Sequence, residues 1–330
     1  MLLAEEEIML SKSKPLAIAI MGPTAAGKTR LSIELAKRFN TEIISVDSAL
    51  VYRGLDIGSA KPDIVERDGV VHHLLDICEP TEPYSAADFC RDAKPIIYRL
   101  IEQGKTPILV GGTMMYFKAL LEGLSDIPAS NPEVRERVEV LAAEKGWEHI
   151  HGLLDKIDPV SAQRIHPNHS QRLGRAYEVF LSTGKPMSTW QIGSDTGLLN
   201  TFDWRQIAIA PRDRSILHHR IAERFDLMLD EGLVDEVLRL NRDPDIHADL
   251  PAIRAVGYRQ VWEYLHDEYT YDEMRDKGKA ATRQLAKRQL TWLRGWEGLN
   301  WLYTEHKDGE VKTFSQIVTN ALNFLGETPL

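Results

Sequence analysis

Short apolar runs alternate along the chain with amphipathic helical patterns, which is the order typical of an α/β protein. Four apolar runs have the length of buried strands: 16–20, 43–46, 108–110 and 205–210. The first run is followed by residues 30–39, in which Leu31, Leu35 and Phe39 recur at helical spacing. The pattern predicts a parallel sheet flanked by helices, with the last run rejoining it.

Between the third and fourth runs the pattern is helical. Asn131 and Pro132 are typical of a helix start, and Gly146 and Gly184 are typical of helix ends. The polar segment 193–203 reads as a loop. We therefore expect a flexible tail at 1–13, a core beginning at 14–125, an all-helical insertion domain at 126–200, and the rest of the core at 201–330.

The last third of the chain predicts further helices. Residues 218–237 read as one helix returning to the core, and Gly257 permits a tight turn within 253–260. A helix beginning at Lys277 would carry a basic stripe opposite an apolar face. The stripe consists of Lys279, Arg283, Lys287 and Arg294, and the apolar face of Ala281, Leu285, Trp292 and Trp296.

Composition narrows the classes of protein. A net charge of −9 gives no general attraction to nucleic acid, so such binding needs local basic patches. The two cysteines, Cys78 and Cys90, form no spaced cluster and are expected as free thiols in a reducing cytoplasm. We see no apolar run of membrane-spanning length, and the acidic start is unlike a signal peptide.

A phosphate-binding loop is the clearest chemical motif. It follows the first strand, precedes the first helix, and fits G-x-x-x-x-G-K-[ST] over Gly22, Pro23, Thr24, Ala25, Ala26, Gly27, Lys28 and Thr29. Glycines let the backbone N–H groups turn inward, the helix N-terminus attracts anions, Lys28 adds a cation, and the Thr29 hydroxyl suits Mg²⁺. The motif by itself indicates phosphate binding and suggests a nucleotide such as ATP, without distinguishing a kinase from an ATPase or a GTPase.

Two further strand ends carry polar groups. Asp47 and Ser48 follow the second strand, and Thr113 follows Gly111 and Gly112 after the third. Strand ends of an open α/β sheet face the ligand crevice, although all three residues also suit a helix cap or a turn. The third strand ends in glycine and not in the acidic residue of a typical Walker B strand, and we find no Asn-Lys-x-Asp guanine motif. Both absences weaken the interpretation as a nucleoside triphosphatase.

Several longer motifs then follow in a fixed order, and together they are specific. They are "SVDSALVYRGLDIGSAKP" (45–62), "YSAADF" (84–89), "LVGGTMMYFKALLEGL" (109–124), "RIHPNHSQRLGRAYEV" (164–179), "IRAVGYRQ" (253–260) and "KRQLTWLRGW" (287–296). With the phosphate-binding loop, this set resembles bacterial tRNA dimethylallyltransferases, also called tRNA isopentenyltransferases, over nearly the whole chain. The departures are mild: Ala26 and Ser59 stand where the family often has Ser and Thr, and Ala49 and Leu50 where it often has Arg and Gln.

The resemblance implies a P-loop NTPase-like core and a transferase that consumes no ATP. The loop would hold dimethylallyl diphosphate with Mg²⁺, helped by Arg220 and Arg224, and the prenyl group would move to N6 of the adenosine 3′ of a tRNA anticodon. Asp47 would be the base, with Lys28 and Thr113 beside it. From charge alone, Arg220 and Arg224 are equally well explained as members of surface ion pairs.

The resemblance also implies which residues face the tRNA anticodon stem-loop, although a solvated charged face or a helix junction would produce the same patterns. They are Asp47, Ser48, Ala49, Leu50, Thr113, Arg135, Gln171, Arg172, Leu173, Gly174, Arg175, Arg254, Gly257, Tyr258, Arg259, Lys287, Arg288, Gln289 and Arg294. We expect a cytoplasmic monomer without membrane contact.

Three rival functions stay open at this point. A P-loop kinase of a nucleotide or small metabolite would bind ATP and would not need the basic helix near the C-terminus. A prenyltransferase acting on free AMP would not need the helical insertion. A non-catalytic RNA-binding ATPase would need an acidic strand end and a water-positioning residue, and we find neither in the sequence.

Overall fold

The computed structural model describes residues 14–190 and 192–326, and of residues 192–196 the backbone alone. The expected tail at 1–13 lies outside the described residues. The strands are β1 (Leu16–Met21), β2 (Ile43–Val46), β3 (His72–His73), β4 (Ile108–Gly111), β5 (Gly123–Ser125), β6 (Ile192–Thr196), β7 (Asp203–Ala210) and β8 (Asn300–Tyr303).

The helices among these residues connect the strands and build the insertion. They are α1 (Lys28–Arg38), α2 (Ile64–Arg67), α3 (Ala86–Glu102), α4 (Met114–Glu122), α5 (Pro132–Lys145), α6 (Trp147–Ile157), α7 (Pro159–Arg164), α8 (Ser170–Thr183), α9 (Arg214–Asp230), α10 (Leu233–Leu240), α11 (Tyr258–Leu265), α12 (Tyr271–Arg294) and α13 (Phe314–Leu325).

Six strands form one parallel sheet in the order β3-β2-β4-β1-β7-β8. Strand β1 lies in its centre, and its apolar residues from Ala17 to Met21 are fully buried, as expected for a strand covered on both faces. The apolar runs of the sequence therefore correspond to β1, β2, β4 and β7. Parallel strands place their carboxyl ends at one edge of the sheet. Asp47 and Ser48 after β2, and Thr113 after β4, lie at this edge.

Chain topology divides the described residues into two compact units. The larger unit comprises the described residues up to Leu121 together with those from Leu198 onward, and the smaller unit is Glu122–Gly197. In the smaller unit α5 to α8 pack around Ile150, Leu154 and Leu173. The Asn131 side chain caps α5 as its sequence position predicts. The segment expected as a loop contributes β6, which pairs antiparallel with β5.

The prediction of one continuous helix over 218–237 is wrong in one respect. Helix α9 ends at Asp230 and α10 begins at Leu233, with Gly232 between them at φ +100°. A left-handed backbone conformation ends an α-helix and favours glycine. The break divides the segment into two helices, which an uninterrupted pattern of apolar residues does not reveal.

The basic helix also needs correction. It begins at Tyr271 behind the Thr270 cap, not at Lys277. Its buried residues are Met274, Gly278, Ala286, Gln289, Leu290 and Leu293. Trp292 is 37% exposed, and Trp296 follows the helix and donates its indole N–H to Gln206 Oε1 at 2.8 Å. The buried face is thus centred on a different stripe from the predicted one, because it is the side of the helix that packs against Leu217, Ile221 and Phe225 of α9.

The segment after Lys307, for which the sequence suggested no role, contains α13. Val318, Ala321, Leu322 and Leu325 of this helix join Leu31 and Leu35 of α1 in one apolar cluster against the sheet. No helix of the described residues is long and apolar enough to cross a membrane. Cys78 and Cys90 are both buried, and neither forms a disulfide, as expected.

Candidate active site

The glycine loop, Gly22–Thr29, connects β1 with α1, and its glycines are required by the space around them. A Cβ atom at Gly22 would collide with the carbonyl oxygen of Ile209 on β7. Gly27 caps α1 at φ +93°, which costs a larger residue strain. The loop therefore keeps its backbone close to the sheet edge, where its N–H groups can meet an anion.

The first turn of α1 offers positive charge without an acidic competitor. It carries no Asp or Glu, so the partial positive charge of the helix N-terminus is not compensated locally. The Lys28 ammonium donates to the carbonyl oxygen of Pro23 at 2.8 Å, and this contact holds it over the loop. Thr29 is exposed beside it, with its hydroxyl available for a ligand.

Asp47 and Thr113 lie next to each other, because β2 and β4 are neighbours and pair Val46 with Gly111. The Thr113 hydroxyl accepts from the Ser48 N–H at 3.1 Å. Asp47 Oδ1 accepts from the Ala49 N–H at 2.9 Å and from the Leu50 N–H at 3.4 Å. These bonds fix the carboxylate, and Oδ2 receives no hydrogen bond from the described residues and can accept one from a substrate.

Lys28, Asp47 and Arg224 interact electrostatically. Burial lowers the pKa of the Lys28 ammonium to about 8, Asp47 opposes that shift, and Arg224 adds to it. Burial also lowers the pKa of the Arg224 guanidinium, while Glu66 and Asp47 raise it. Glu66 and Glu231 also attract Arg224, but neither lines the cavity described below. Among the described residues that do, Asp47 is the one acid beside Lys28 and Arg224. This excess of positive charge suits a ligand of more than one negative charge.

These groups line one cavity of about 500 Å³ within the larger unit. The polar part of its lining includes Thr24, Lys28, Thr29 and Thr113. The apolar part, called here the apolar wall, includes Leu50, Ile221, Phe225, Met228 and Leu285. Apolar lining of this kind accommodates a hydrocarbon group, while the polar groups fit phosphate oxygens.

A second, open groove of about 1,220 Å³ runs along the other side of the glycine loop and shares Lys28, Thr29 and Arg224 with the cavity. Arg220 lies one turn from Arg224 on α9 and lines the groove, but not the cavity. Neither guanidinium forms an ion pair with the described residues. Arg224 is thus the better placed of the two for a ligand that bridges both spaces.

Gln289 has a role that the motifs did not suggest. Its Oε1 accepts from the Thr24 N–H at 2.9 Å, and its Nε2 donates to the Gly112 carbonyl oxygen at 3.0 Å. A Cβ atom at Gly112 would collide with that amide, which explains why β4 is followed by glycines and not by an acid. Gln289 is buried and both ends of its amide are engaged, so it joins α12 to the glycine loop. It also lines the cavity, and its expected contact with tRNA stays a prediction.

The segment 253–260 also differs partly from expectation. Arg254 and Gly257 line the cavity, and Arg254 is exposed there. Tyr258 is fully buried, so its ring is not a surface for base stacking. Arg259 does not line the cavity, and its Nε donates to Glu263 at 2.7 Å.

Among the remaining expected tRNA contacts in the larger unit, Ala49, Leu50 and Arg288 line the cavity. Lys287 and Arg294 lie instead along a groove of about 280 Å³ between α9 and α12. The groove has Leu217 and Leu290 at its floor and is also lined by Arg214, His218 and Arg283. Lys279 of the predicted basic stripe does not line this groove, and its ammonium pairs with Asp226 at 2.7 Å.

In the smaller unit the expected contacts separate by exposure. Gln171 and Arg172 are exposed, and Arg135 is exposed but pairs with Glu139 at 3.2 Å. The expectation for Leu173 needs correction, because its side chain is fully buried in the core of the unit and offers no surface to tRNA. Gly174 packs on Trp147.

Arg175 is also engaged inside the smaller unit. Its guanidinium pairs with the buried Glu178 at 2.8 Å and donates to the carbonyl oxygen of Pro128. It therefore stabilises the entry to α5 and is less free to contact RNA than its position in the motif suggests. A charged motif does not distinguish a cation that faces solvent from one that pairs internally.

Comparisons with known proteins give one family. The model of the family described as IPP transferase matches residues 50–296. The chain is similar to the solved tRNA isopentenylpyrophosphate transferase of Bacillus halodurans, at 38% identity and a TM-score of 0.68, covering 95% of this chain and 96% of that one. It is similar to the tRNA delta(2)-isopentenylpyrophosphate transferase of Staphylococcus epidermidis, at 34% identity and a TM-score of 0.66, covering 95% and 99%. A eukaryotic dimethylallyltransferase acting on tRNA matches at 26% identity and a TM-score of 0.74, covering 96% and 81%.

Proposed function

The chain belongs to the IPP transferase family, and we propose that it moves the dimethylallyl group of dimethylallyl diphosphate to N6 of the adenosine 3′ of a tRNA anticodon, releasing pyrophosphate. Transfer of a prenyl group to tRNA is the activity of the family. The observation that carries the finer assignment is one cavity in which Lys28 and Arg224 lie beside Asp47 and an apolar wall. That set matches a donor with a charged diphosphate and a small hydrocarbon group.

The proposed donor site uses the glycine loop as the holder of the leaving group. The allylic C–O bond breaks, and its electron pair goes to the diphosphate oxygen. The loop N–H groups, Lys28 and Arg224 stabilise the negative charge that develops there. The dimethylallyl group leaves the loop and the phosphates stay bound there, so no phosphoryl group is transferred.

The proposed acceptor site lies at Asp47 and Thr113. The adenine N6 forms the new C–N bond and must lose a proton, and Asp47 Oδ2 accepts it. Because Oδ1 is held by the Ala49 N–H at 2.9 Å, the second oxygen is presented in a fixed orientation. A base in an anticodon loop must leave its stack to reach such a cavity, as is usual for enzymes that modify bases.

We propose Mg²⁺ as the cofactor, with Thr29 as its ligand from the protein. Among the described residues no group of three His, Cys, Asp or Glu side chains could hold a metal ion. This fits an ion that is bound chiefly through substrate phosphates and water, as Mg²⁺ commonly is. When bound, it would neutralise charge on the diphosphate.

The RNA contacts follow from the free cations. Arg254 and Arg288 line the cavity, and Arg214, Arg283, Lys287 and Arg294 surround the groove between α9 and α12 without an acid among its lining residues. We propose that these six cations contact tRNA phosphates, and that Gln171 and Arg172 of the smaller unit do so too. We further propose that the enzyme acts as a monomer in the cytoplasm, since one tRNA occupies one site.

Salt dependence tests this surface. Log K, with K the association constant for tRNA, falls as log salt concentration rises. Replacing Lys287 and Arg294 by Ala should make this slope less steep by about one to two, because each lost phosphate contact removes roughly one released counterion. Filter binding over a range of salt concentrations gives the slope. The control is Lys279→Ala, whose cation already pairs with Asp226 and should leave the slope unchanged. An equal slope in the double variant and the wild type would remove the groove from the RNA surface.

One incubation tests the function itself. The enzyme is mixed with Mg²⁺, tRNA and dimethylallyl diphosphate without ATP, and the tRNA nucleosides are analysed by mass spectrometry. We expect adenosine to gain one prenyl unit and pyrophosphate to appear in equal amount. Parallel incubations replace dimethylallyl diphosphate with ATP, or tRNA with AMP. Phosphoryl transfer from ATP, with no prenylated nucleoside in the first incubation, would favour a P-loop kinase. Prenylation of AMP but not of tRNA would contradict the tRNA assignment.

A further inference from the structure

We infer that Glu236 on α10 is a positioning residue for the transfer reaction, because its buried carboxylate fixes two chain segments that line the cavity. Glu236 is 1% exposed and is not itself among the lining residues. One segment, the 56–60 loop, comprises residues 56–60. The other, the 254–258 turn, comprises residues 254–258. The inference rests on the proposed function of the cavity.

The carboxylate accepts hydrogen bonds from three successive N–H groups of the 56–60 loop. Oε2 accepts from Asp56 at 3.1 Å and from Ile57 at 2.9 Å, and Oε1 accepts from Gly58 at 3.1 Å. Among the described residues no Lys or Arg pairs with Glu236. Its charge is therefore stabilised by backbone dipoles, in the way that consecutive N–H groups bind an external anion.

The same carboxylate holds the 254–258 turn through Tyr258. The Tyr258 hydroxyl donates to Glu236 Oε1 at 2.6 Å and accepts from the Ser59 N–H at 3.1 Å. A Cβ atom at Gly58 would lie 2.7 Å from the Tyr258 ring, so that ring packs directly against the loop. Glu236, Tyr258 and the 56–60 loop thus form one connected hydrogen-bond network. Glu236 and Asp56 within it are 180 residues apart in the chain.

The network shapes the space that the substrates would occupy. Gly58, Ser59 and Ala60 line the cavity on one side, and Ala255, Val256 and Gly257 line it on another. Ala60 also lines the open groove with Lys28 and Arg224. Movement of the 56–60 loop would change the walls beside the cations that hold the diphosphate, so the donor should be affected more than the tRNA.

The test uses Glu236→Gln, which keeps the volume but places an amide N–H₂ against backbone N–H donors. We expect the KM for dimethylallyl diphosphate to rise at least tenfold, whereas the Kd for tRNA should change less than about threefold, because many separate phosphate contacts contribute to it. Tyr258→Phe keeps the ring and removes only the hydroxyl, and it should shift the same KM in the same direction by a smaller factor.

Glu305→Gln is the matched control. Glu305 is also 1% exposed and accepts from the Arg212 N–H at 2.8 Å and from the Thr304 hydroxyl at 3.0 Å, but it does not line the cavity. It should lose stability like Glu236→Gln and keep the wild-type KM. If both variants lose active protein equally and neither changes the KM, Glu236 has only a structural role and the inference is wrong.

Hydrogen exchange without substrate makes the result independent of the reaction. The amides of Asp56, Ile57 and Gly58 should exchange at least tenfold faster in Glu236→Gln than in the wild type, while those of β1 stay protected. Unchanged exchange at these three amides would overturn the inference even if prenyl transfer is never observed. Faster exchange together with an inactive wild-type enzyme would instead contradict the proposed function alone.

Discussion

At the residue scale, the chemistry depends on side chains whose orientation is fixed by backbone hydrogen bonds. Asp47 uses one oxygen to hold the turn at Ala49 and presents the other to the cavity. Lys28 is partly buried and is held by the Pro23 carbonyl oxygen at 2.8 Å. These constraints let single substitutions separate catalysis from binding.

Asp47→Asn should separate the proton acceptor from the turn. Asparagine retains an oxygen that can accept from the Ala49 N–H, but it cannot take a proton at neutral pH. We expect kcat to fall about 10²–10⁴-fold, the usual contribution of a general base. Single-turnover kinetics with prebound tRNA measure the step. A turnover rate equal to that of the wild type would remove Asp47 from the role of base.

Lys28 predicts a pH dependence of pyrophosphate binding. Burial lowers the pKa of its ammonium to about 8 in the free protein, so it is charged below that pH and neutral above it. Measured relative to Lys28→Arg, which cancels the titration of pyrophosphate itself, the affinity should be flat below about pH 8 and fall by up to about tenfold per pH unit above it.

Calorimetric titration of pyrophosphate across this range measures the effect. The control is Lys28→Arg, which stays charged throughout and should lack the step even if its affinity is lower. A wild-type affinity that, relative to that of Lys28→Arg, stays constant through pH 9 would contradict the assignment of Lys28 to the diphosphate.

At the element scale, the site depends on the close approach of α9 and α12. Arg224 lies on α9 and Gln289 on α12, and the two helices meet where Phe225 packs against Gly278. Arg275 and Lys279 of α12 both donate to Asp226 of α9, at 2.6 and 2.7 Å. A small residue at the crossing lets the helix axes approach, and thereby determines the width of the cavity.

Gly278→Ala should therefore destabilise the protein. Its Cβ atom would collide with the Phe225 ring, and overpacking of this kind costs about 1–3 kcal/mol. Gly152→Ala is the control, since Gly152 lies inside α6 with nothing within 4 Å of an added Cβ and should gain about 0.5–1 kcal/mol. Urea unfolding measures both. Equal stability of the two variants would show that the crossing can widen without cost.

At the scale of the whole molecule, the C-terminal helix completes the core. Val318, Ala321 and Leu322 of α13 cover the same face of the sheet as α1. Since α1 carries Lys28 and Thr29, α13 supports the site without contacting the reaction. The segment for which the sequence suggested no role therefore belongs to the apolar core, and we expect folding to depend on it.

Removal of residues 313–330 should leave the apolar face of α1 exposed, and the shortened chain should not give a folded protein. A milder test is Leu322→Ala, where a residue only 5% exposed loses its side chain at a cost of about 2–5 kcal/mol. Asn323→Ala, one position along on the exposed side, should stay within about 0.5 kcal/mol of the wild type. Urea unfolding compares them, and a Leu322→Ala protein as stable as the wild type would contradict the role of α13.

The sequence by itself determined what is local. Apolar runs specified β1, β2, β4 and β7, the glycine and Lys-Thr spacing specified the loop before α1, and the ordered motifs identified the family. Such signals are short-range, because strand burial, helix caps and loop conformation depend on neighbouring residues. Asp47 and Thr113 were also placed by local reasoning, since both follow buried strands.

Only the tertiary structure decided which of the remaining polar groups are available to a ligand. Gln289, Tyr258 and Arg175 occur in motifs that suggested RNA contact, yet their hydrogen bonds are made to Gly112, Glu236 and Glu178. Glu236 belongs to no motif, and it meets the 56–60 loop only in the fold. Burial and partners are set by residues far apart in the chain, so spacing along the sequence cannot tell a buried, satisfied group from a free one.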